Sequence, residues 1–278
     1  MIPTADILAW RAEHPWVSSA QVEQDLTIYR AVIELFSRPV LRDQLALRGG
    51  TALHKLFLKP AARYSEDIDL VQMKAGAIGP VMDGVHEALG SWLGAPRREQ
   101  KAGNVTLTYR LNSEIAPVVP LRLKVEINTR EHFTVLGLVE QTLAAESRWF
   151  TARAAIPTFA LDELLGTKMR ALYQRRKGRD LFDLWLGLTQ GRANPMMVVG
   201  VFRKYVAAEG NVISGAEFEQ NLAQKMKHAG FLSDLLPLLR PGIAYDAAEA
   251  CRLLENELLG RLRSDGRARR RSRPSKRS

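Results

Sequence analysis

Leu47-Arg48-Gly49-Gly50-Thr51, followed by Arg63-Tyr64-Ser65-Glu66-Asp67-Ile68-Asp69-Leu70, is the stretch from which the fold is read. Leu45-Ala46-Leu47-Arg48 is a short apolar run that stops at a glycine pair, the pattern of a strand ending in a turn. Thr51 to Leu58 then reads as helix. In the second block Asp67 and Asp69 alternate with Ile68 and Leu70, so on a strand the carboxylates share one face and the aliphatic pair points to the core. Two adjacent carboxylates repel and become comfortable when a divalent cation sits between them. Oxygen ligands of this kind suit magnesium or manganese. An Asp-x-Asp on its own is more often an ordinary solvated pair.

The glycine pair adds a second chemistry. Gly49 and Gly50 between strand and helix let the backbone approach a ligand closely, and a helix N-terminus aims N–H groups at anions. The Thr51 hydroxyl can add a hydrogen bond to a phosphate. A lone Gly-Gly-Thr is an ordinary turn; coupled to an Asp-x-Asp strand after one intervening helix, it makes a nucleotide-binding arrangement.

Outward from this block, Val105, Leu107, Tyr109 and Leu111 alternate with polar residues, as do Leu121, Leu123, Val125 and Ile127. Both read as half-buried strands. Glu126 lies on the polar face of the second with Arg122 and Lys124. It either completes a three-carboxylate cluster with Asp67 and Asp69 or pairs with those basic neighbours. Upstream, Ser18 and Gln21 form a capping box ahead of Val22, Leu26, Tyr29, Ile33 and Phe36 at helical spacing. From Asp162 the pattern is helical throughout, with Gly178 breaking one helix, Leu181, Leu184, Trp185 and Leu188 forming the next, and a last helix from near Asp246. Cys251 sits on the apolar face of that helix and reads as a small core residue.

The expected fold class is α+β: a mixed sheet with flanking helices over residues 1–155, an all-helical lobe over 156–262, and a basic tail over 263–278, the lobes joining near 150–160. Of 278 residues 46% are hydrophobic and 25% charged, ordinary for a folded domain. No apolar run reaches the ~18 residues that cross a bilayer, no secretory leader is evident, and one cysteine excludes an internal disulfide or a multi-cysteine zinc site. These features point to a cytoplasmic protein. From Arg261 onward nine Lys and Arg face Asp265 alone, so the tail carries eight of the ten net positive charges. Its Arg-, Ser- and Pro-rich composition is expected to be disordered.

Arg48-Gly49-Gly50-Thr51-Ala52-Leu53 with Arg63 to Leu70 resembles the AbiEii/AbiGii/MenT toxins of the DNA polymerase β-type nucleotidyltransferase superfamily. Val22-Glu23-Gln24-Asp25 is similar to that family's N-terminal Glu-Lys-Asp segment, with Gln24 in place of lysine. Leu164-Leu165-Gly166-Thr167-Lys168-Met169-Arg170-Ala171-Leu172, then Arg175 and Arg179-Asp180-Leu181-Phe182-Asp183-Leu184, resembles its helical-lobe motif. The resemblance runs from about residue 20 to 190.

This resemblance implies a metal-dependent nucleotidyltransferase toxin restrained by a cognate antitoxin. It would transfer a nucleotide from a nucleoside triphosphate (NTP) to the tRNA 3' end and so block translation. Arg48, Gly49, Gly50 and Thr51 are expected at the nucleotide and Asp67 and Asp69 at Mg2+ or Mn2+, with Glu126 as third carboxylate. Lys168 is expected at the triphosphate and Asp180 as an essential carboxylate of the helical lobe, with Asp183 the rival in another register. Read without the resemblance, Lys168 is an exposed helix lysine and Asp180 a helix N-cap. Two other functions stay open: the same chemistry on a protein or small hydroxylated molecule, and a nucleotide-binding partner protein without turnover. Arg175, Arg176, Lys177 and Arg179 form a basic turn that suits an RNA acceptor.

Overall fold

The computed structural model describes residues 2–263, and the chain forms two compact units. Among the described residues the first takes 2–160 and 238–243, and the second takes 161–237 and 244–263. The predicted tail disorder concerns residues that, beyond Arg263, lie outside the described ones; Arg261 to Arg263 themselves are helical.

The first unit is built on a seven-stranded mixed sheet. Its strands are β1 (Leu45–Arg48), β2 (Asp67–Gln72), β3 (Arg97–Lys101), β4 (Asn104–Asn112), β5 (Pro120–Asn128), β6 (Leu138–Glu146) and β7 (Thr151–Phe159), in the order β3-β4-β5-β2-β1-β7-β6. β2 pairs parallel with β5 and β1 parallel with β7, and the other neighbours are antiparallel. The helices are α1 (Thr4–Glu13), α2 (Ser19–Phe36), α3 (Pro39–Gln44), α4 (Gly49–Ala52, extended by a π-turn over Leu53–Phe57) and α5 (Gly79–Leu93).

Alternation decides what each sheet face does. Ile68, Leu70, Leu107, Tyr109, Leu123, Val125 and Ile127 are all buried, and α2 packs on β2, β5, β6 and β7 with α5 beside it. Asp67, Asp69, Lys124 and Glu126 alternate with these residues and are half-buried. α2 opens with the expected capping box: the Gln21 N–H donates to Ser18 Oγ (3.2 Å) and the Ser18 N–H to Gln21 Oε1 (3.1 Å).

Residues 151–159, where the lobes were expected to join, are strand β7, and the first unit runs on to Ala160. A later segment also returns to it. The Tyr64 N–H donates to the Leu238 carbonyl (2.7 Å) and the Arg240 N–H to that of Ala62 (2.9 Å). These bonds hold the loop ahead of β2.

The second unit is helical: α6 (Leu161–Gln174), α7 (Gly178–Thr189), α8 (Pro195–Ala208), α9 (Gly215–Met226), α10 (Ala229–Ser233) and α11 (Ala247–Leu254, extended by a π-turn over Glu255–Leu259). α6 packs against α7, α8 and α9. Gly178 starts α7, and a Cβ there would stand 2.1 Å from the Phe231 carbonyl oxygen, so only glycine fits. The Lys225 ammonium donates to the Leu172 and Tyr173 carbonyls (2.7 Å to Tyr173), closing the C-terminal end of α6. Cys251 is buried. No described helix is long and apolar enough to cross a membrane.

Candidate active site

Strand β2 carries the acidic pair between two neighbours. Asp69 stands in register with Arg48 of β1 on one side and Glu126 of β5 on the other, and Asp67 with Lys124 of β5. Side chains at paired positions share a sheet face, so Asp67, Asp69 and Glu126 are neighbours on the open face. Burial pushes the Asp67 carboxyl up to about 6, and repulsion by Asp69, Glu126 and Glu66 adds to this against the pull of Lys124. That is the electrostatic strain of carboxylates crowded on half-buried backbone.

The Gly-Gly turn meets this face directly. Gly49 has φ +75°, and a Cβ on it would lie 2.0 Å from Asp69 Oδ2. A Cβ on Gly50 would meet Arg63 Nη2 at 2.6 Å and Ser65 Oγ at 2.9 Å. The backbone of this turn is thus pressed between the Asp69 carboxylate and the Arg63 guanidinium.

Two residues expected at the nucleotide already have protein partners. The Thr51 hydroxyl is buried and donates to the Asp67 carbonyl, with Ser65 Oγ 2.9 Å away, so it fastens β2 to the start of α4. Arg48 Nη1 donates to Glu131 Oε2, both side chains being 19% exposed. Sequence reading gave no role to Arg63, Ser65 or Glu131; Arg63 and Ser65 stand within the quoted motif, whereas Glu131 lies 83 residues from Arg48.

As oxygen donors, Asp67, Asp69 and Glu126 suit a hard divalent cation. As they stand, no three His, Cys, Asp or Glu side chains among the described residues converge to hold an ion. The chemistry of the donor set fits magnesium or manganese, and the raised Asp67 carboxyl gives a cation an electrostatic reason to bind.

In the helical unit Lys168 is buried rather than exposed, 3.1 Å from Asp180 Oδ1 and 3.0 Å from Asp183 Oδ2. Asp180 also accepts two bonds from Arg175, Nε at 2.7 Å and Nη2 at 2.8 Å. Burial raises the Asp180 carboxyl, but Lys168 and Arg175 outweigh it and hold the group below its ordinary value. Asp180 is not an N-cap: α7 begins at Gly178 after Lys177, and the Asp180 side chain turns to the two cations instead. Of the two rival carboxylates, Asp180 receives both Lys168 and Arg175. Lys177 and Arg179 of the basic turn pair with Asp234, at 3.2 and 3.9 Å.

Comparison with known proteins gives the family and the fold. The profile of the family described as nucleotidyl transferase AbiEii toxin, type IV toxin–antitoxin system, matches residues 30–252. No curated protein matches significantly. Among solved structures, the fold is similar to JHP933 from Helicobacter pylori, at 17% identity and TM-score 0.54, covering 92% of this chain and 97% of that one. It is also similar to MenT4, a nucleotidyltransferase toxin from Mycobacterium tuberculosis H37Rv, at 19% identity and TM-score 0.52, covering 93% and 97%. These two likenesses concern the fold: a mixed sheet with flanking helices and a helical lobe. With the family profile spanning most of its length, the chain belongs to the AbiEii nucleotidyl transferase toxins of type IV toxin–antitoxin systems.

Proposed function

We propose that the chain transfers a nucleotide from an NTP to the 3' end of tRNA in the cytoplasm, and that an antitoxin protein restrains it. The supporting observation is the contact of the Gly49 backbone with the Asp69 carboxylate. It sets a turn suited to phosphates against carboxylates suited to a cation.

Asp67 and Asp69, with Glu126 alongside, would hold Mg2+ or Mn2+, which when bound activates the attacking hydroxyl and neutralises the leaving group. The chain's own residues do the positioning. The Gly49-Gly50 backbone admits the triphosphate, and Arg48, braced by Glu131, offers it a cation. Thr51 holds the turn to β2 through the Asp67 carbonyl, so phosphate and metal sites keep a fixed spacing. Lys168, the lysine expected at the triphosphate, is held within the helical unit by Asp180. The acceptor hydroxyl loses its proton to water and its oxygen bonds to the α-phosphorus, as the bond from that phosphorus to the oxygen bridging to the β-phosphate breaks and pyrophosphate leaves.

The test is transfer of α-labelled ATP, CTP, GTP and UTP, each with magnesium, into total tRNA. Label at the tRNA 3' end is expected. Label confined to protein or small molecules would replace the acceptor, and intact NTP binding with no transfer at all would overturn the enzyme reading.

A further inference from the structure

We propose that a groove in the helical unit, along the outer face of α8, docks an acidic amphipathic helix of a partner protein. The inference goes beyond the proposed reaction and does not depend on it.

The groove has a volume of about 530 Å3, and the described residues that line it all belong to the second unit. That size falls in the ~300–1,000 Å3 range of ligand sites. One side is α8 itself. Its Val198, Val201, Phe202 and Tyr205 are buried, and α6 packs against it. Gly200, Arg203, Lys204 and Ala207 recur at i, i+3, i+4 and i+7 and form a second stripe, which lines the groove. A Cβ on Gly200 would meet nothing within 4 Å, and Ala207 is exposed. The stripe is therefore small at both ends and open, so a second helix can come close.

The rest of the lining includes aliphatic side chains. Val212, in the loop between α8 and α9, is 92% exposed, Ile213 beside it is half-buried, and Leu262 belongs to the last helical turn. A single exposed valine is ordinary. One that edges a groove beside an open helix face marks a surface suited to a partner. Helix-in-groove recognition uses this shape, with apolar anchors spaced i, i+3, i+4 and i+7 on the incoming helix.

Charge decides what that helix carries. Lys204 is exposed on the stripe, and Arg203 Nη2 donates to the Arg261 and Leu262 carbonyls at 3.2 and 3.4 Å, which holds a second cation at the groove. Glu217, near the Ser214 end, is engaged in the capping box of α9. Residues 264–278, which follow directly, hold seven Lys and Arg against Asp265 and add positive charge to the chain beyond Leu262. They are a poor occupant themselves: Ala268 alone among them is hydrophobic, and their charge has the sign of Arg203 and Lys204. Val212, Ile213 and Leu262 give nucleobases no ring to stack on, which favours an acidic protein segment over RNA.

Fluorescence anisotropy of a labelled peptide of about 16 residues, with Leu along one helical stripe and Glu at most other positions, tests this on the full chain. Wild type should bind it with a Kd below about 100 μM. Gly200→Gln replaces a glycine inside a helix and extends into open space, so it should melt no lower than wild type. It should nevertheless bind the peptide about fivefold more weakly. Lys204→Glu should bind it about tenfold more weakly, with a shallower salt dependence. A peptide of the same composition with its leucines scattered round the helix should lose at least about tenfold. No binding by wild type, unchanged affinity in both variants, or equal binding of the scattered peptide would overturn the proposal. Sedimentation velocity should find the free chain monomeric at about 50 μM. A dimer that Gly200→Gln disperses would give the groove to a second copy, and a labelled oligoribonucleotide weakened as much as the peptide in both variants would give it to RNA; either result overturns the proposal.

Discussion

Oδ2 of Asp69 lies 2.0 Å from the point where Gly49 would carry a Cβ, and Gly49 itself sits at φ +75°. Two requirements therefore fall on one glycine: a left-handed backbone and no side-chain atom beside the Asp69 carboxylate. Gly49→Ala should destabilise the first unit by about 1–3 kcal/mol and abolish transfer, because Asp69 must move. Gly50→Ala meets the ends of the Arg63 and Ser65 side chains, which can shift. It should be the milder of the two in both urea unfolding and transfer rate.

Asp67 links pH to metal. Its carboxyl titrates near 6 in the folded chain and near ~4 when unfolded. The folded state thus holds a proton that the unfolded state has released, and the stability this confers, full below about 4, is lost as pH rises through 6. Asp67→Asn should gain about 1–3 kcal/mol over wild type between pH 4.5 and 7 without metal. Magnesium should reverse the order at pH 7. Melting curves of both proteins across this range, with and without magnesium, check the prediction.

In the helical unit, Asp180 holds both Lys168 and Arg175. Asp180→Ala removes the acceptor of both Arg175 bonds and leaves Lys168 with Asp183 alone, and should cost about 3–5 kcal/mol in urea unfolding. Asp183→Ala leaves Lys168 still paired with Asp180 and should cost less. Equal losses would contradict the ranking of the two carboxylates.

A second buried pair braces the Gly-Gly turn from behind. Lys55, one helical turn beyond Thr51, pairs with the fully buried Asp25 of α2, which also accepts from Trp10 Nε1 at 2.9 Å. His14 lies 3.4 Å from the same carboxylate, but burial, helped by Lys55 and Arg240, outweighs the pull of Asp25 and lowers it to about 4, so it is neutral at pH 7 and leaves the balance to Lys55. Asp25→Ala should cost about 3–5 kcal/mol, and adding Lys55→Met to it should restore part of the loss. Additive losses in the double variant would mean the two charges are not coupled.

The legible parts of the fold were those whose periodicity is carried by the segment itself. β1, β2, β4, β5 and α2 announce themselves through alternation, a helical stripe and a capping box. β6 and β7 do not. Leu138 to Glu146 is rich in Ala, Glu, Gln and Thr with most positions exposed or half-exposed, and β7 contains Pro157. Their strand character comes from nine-residue pairing with each other and from β1, a long-range gain that no local window contains. β3, Arg97 to Lys101, is an exposed edge with no apolar residue. At the site, the carboxylates and glycines were legible because their spacing is local. The Arg48–Glu131 pair depends on a distant group folding alongside, and the inward Thr51 hydroxyl and the Lys168–Asp180–Arg175 network on how neighbouring segments turn toward one another, so sequence assigned ligand roles to residues that are also structural partners.

The most direct test of the account is nucleotide transfer into tRNA by wild type and Asp69→Ala side by side over a magnesium titration. The account predicts label with wild type that rises with magnesium and vanishes with chelator, and none with a folded Asp69→Ala protein. Full transfer by Asp69→Ala, or transfer by wild type indifferent to chelation, would contradict it.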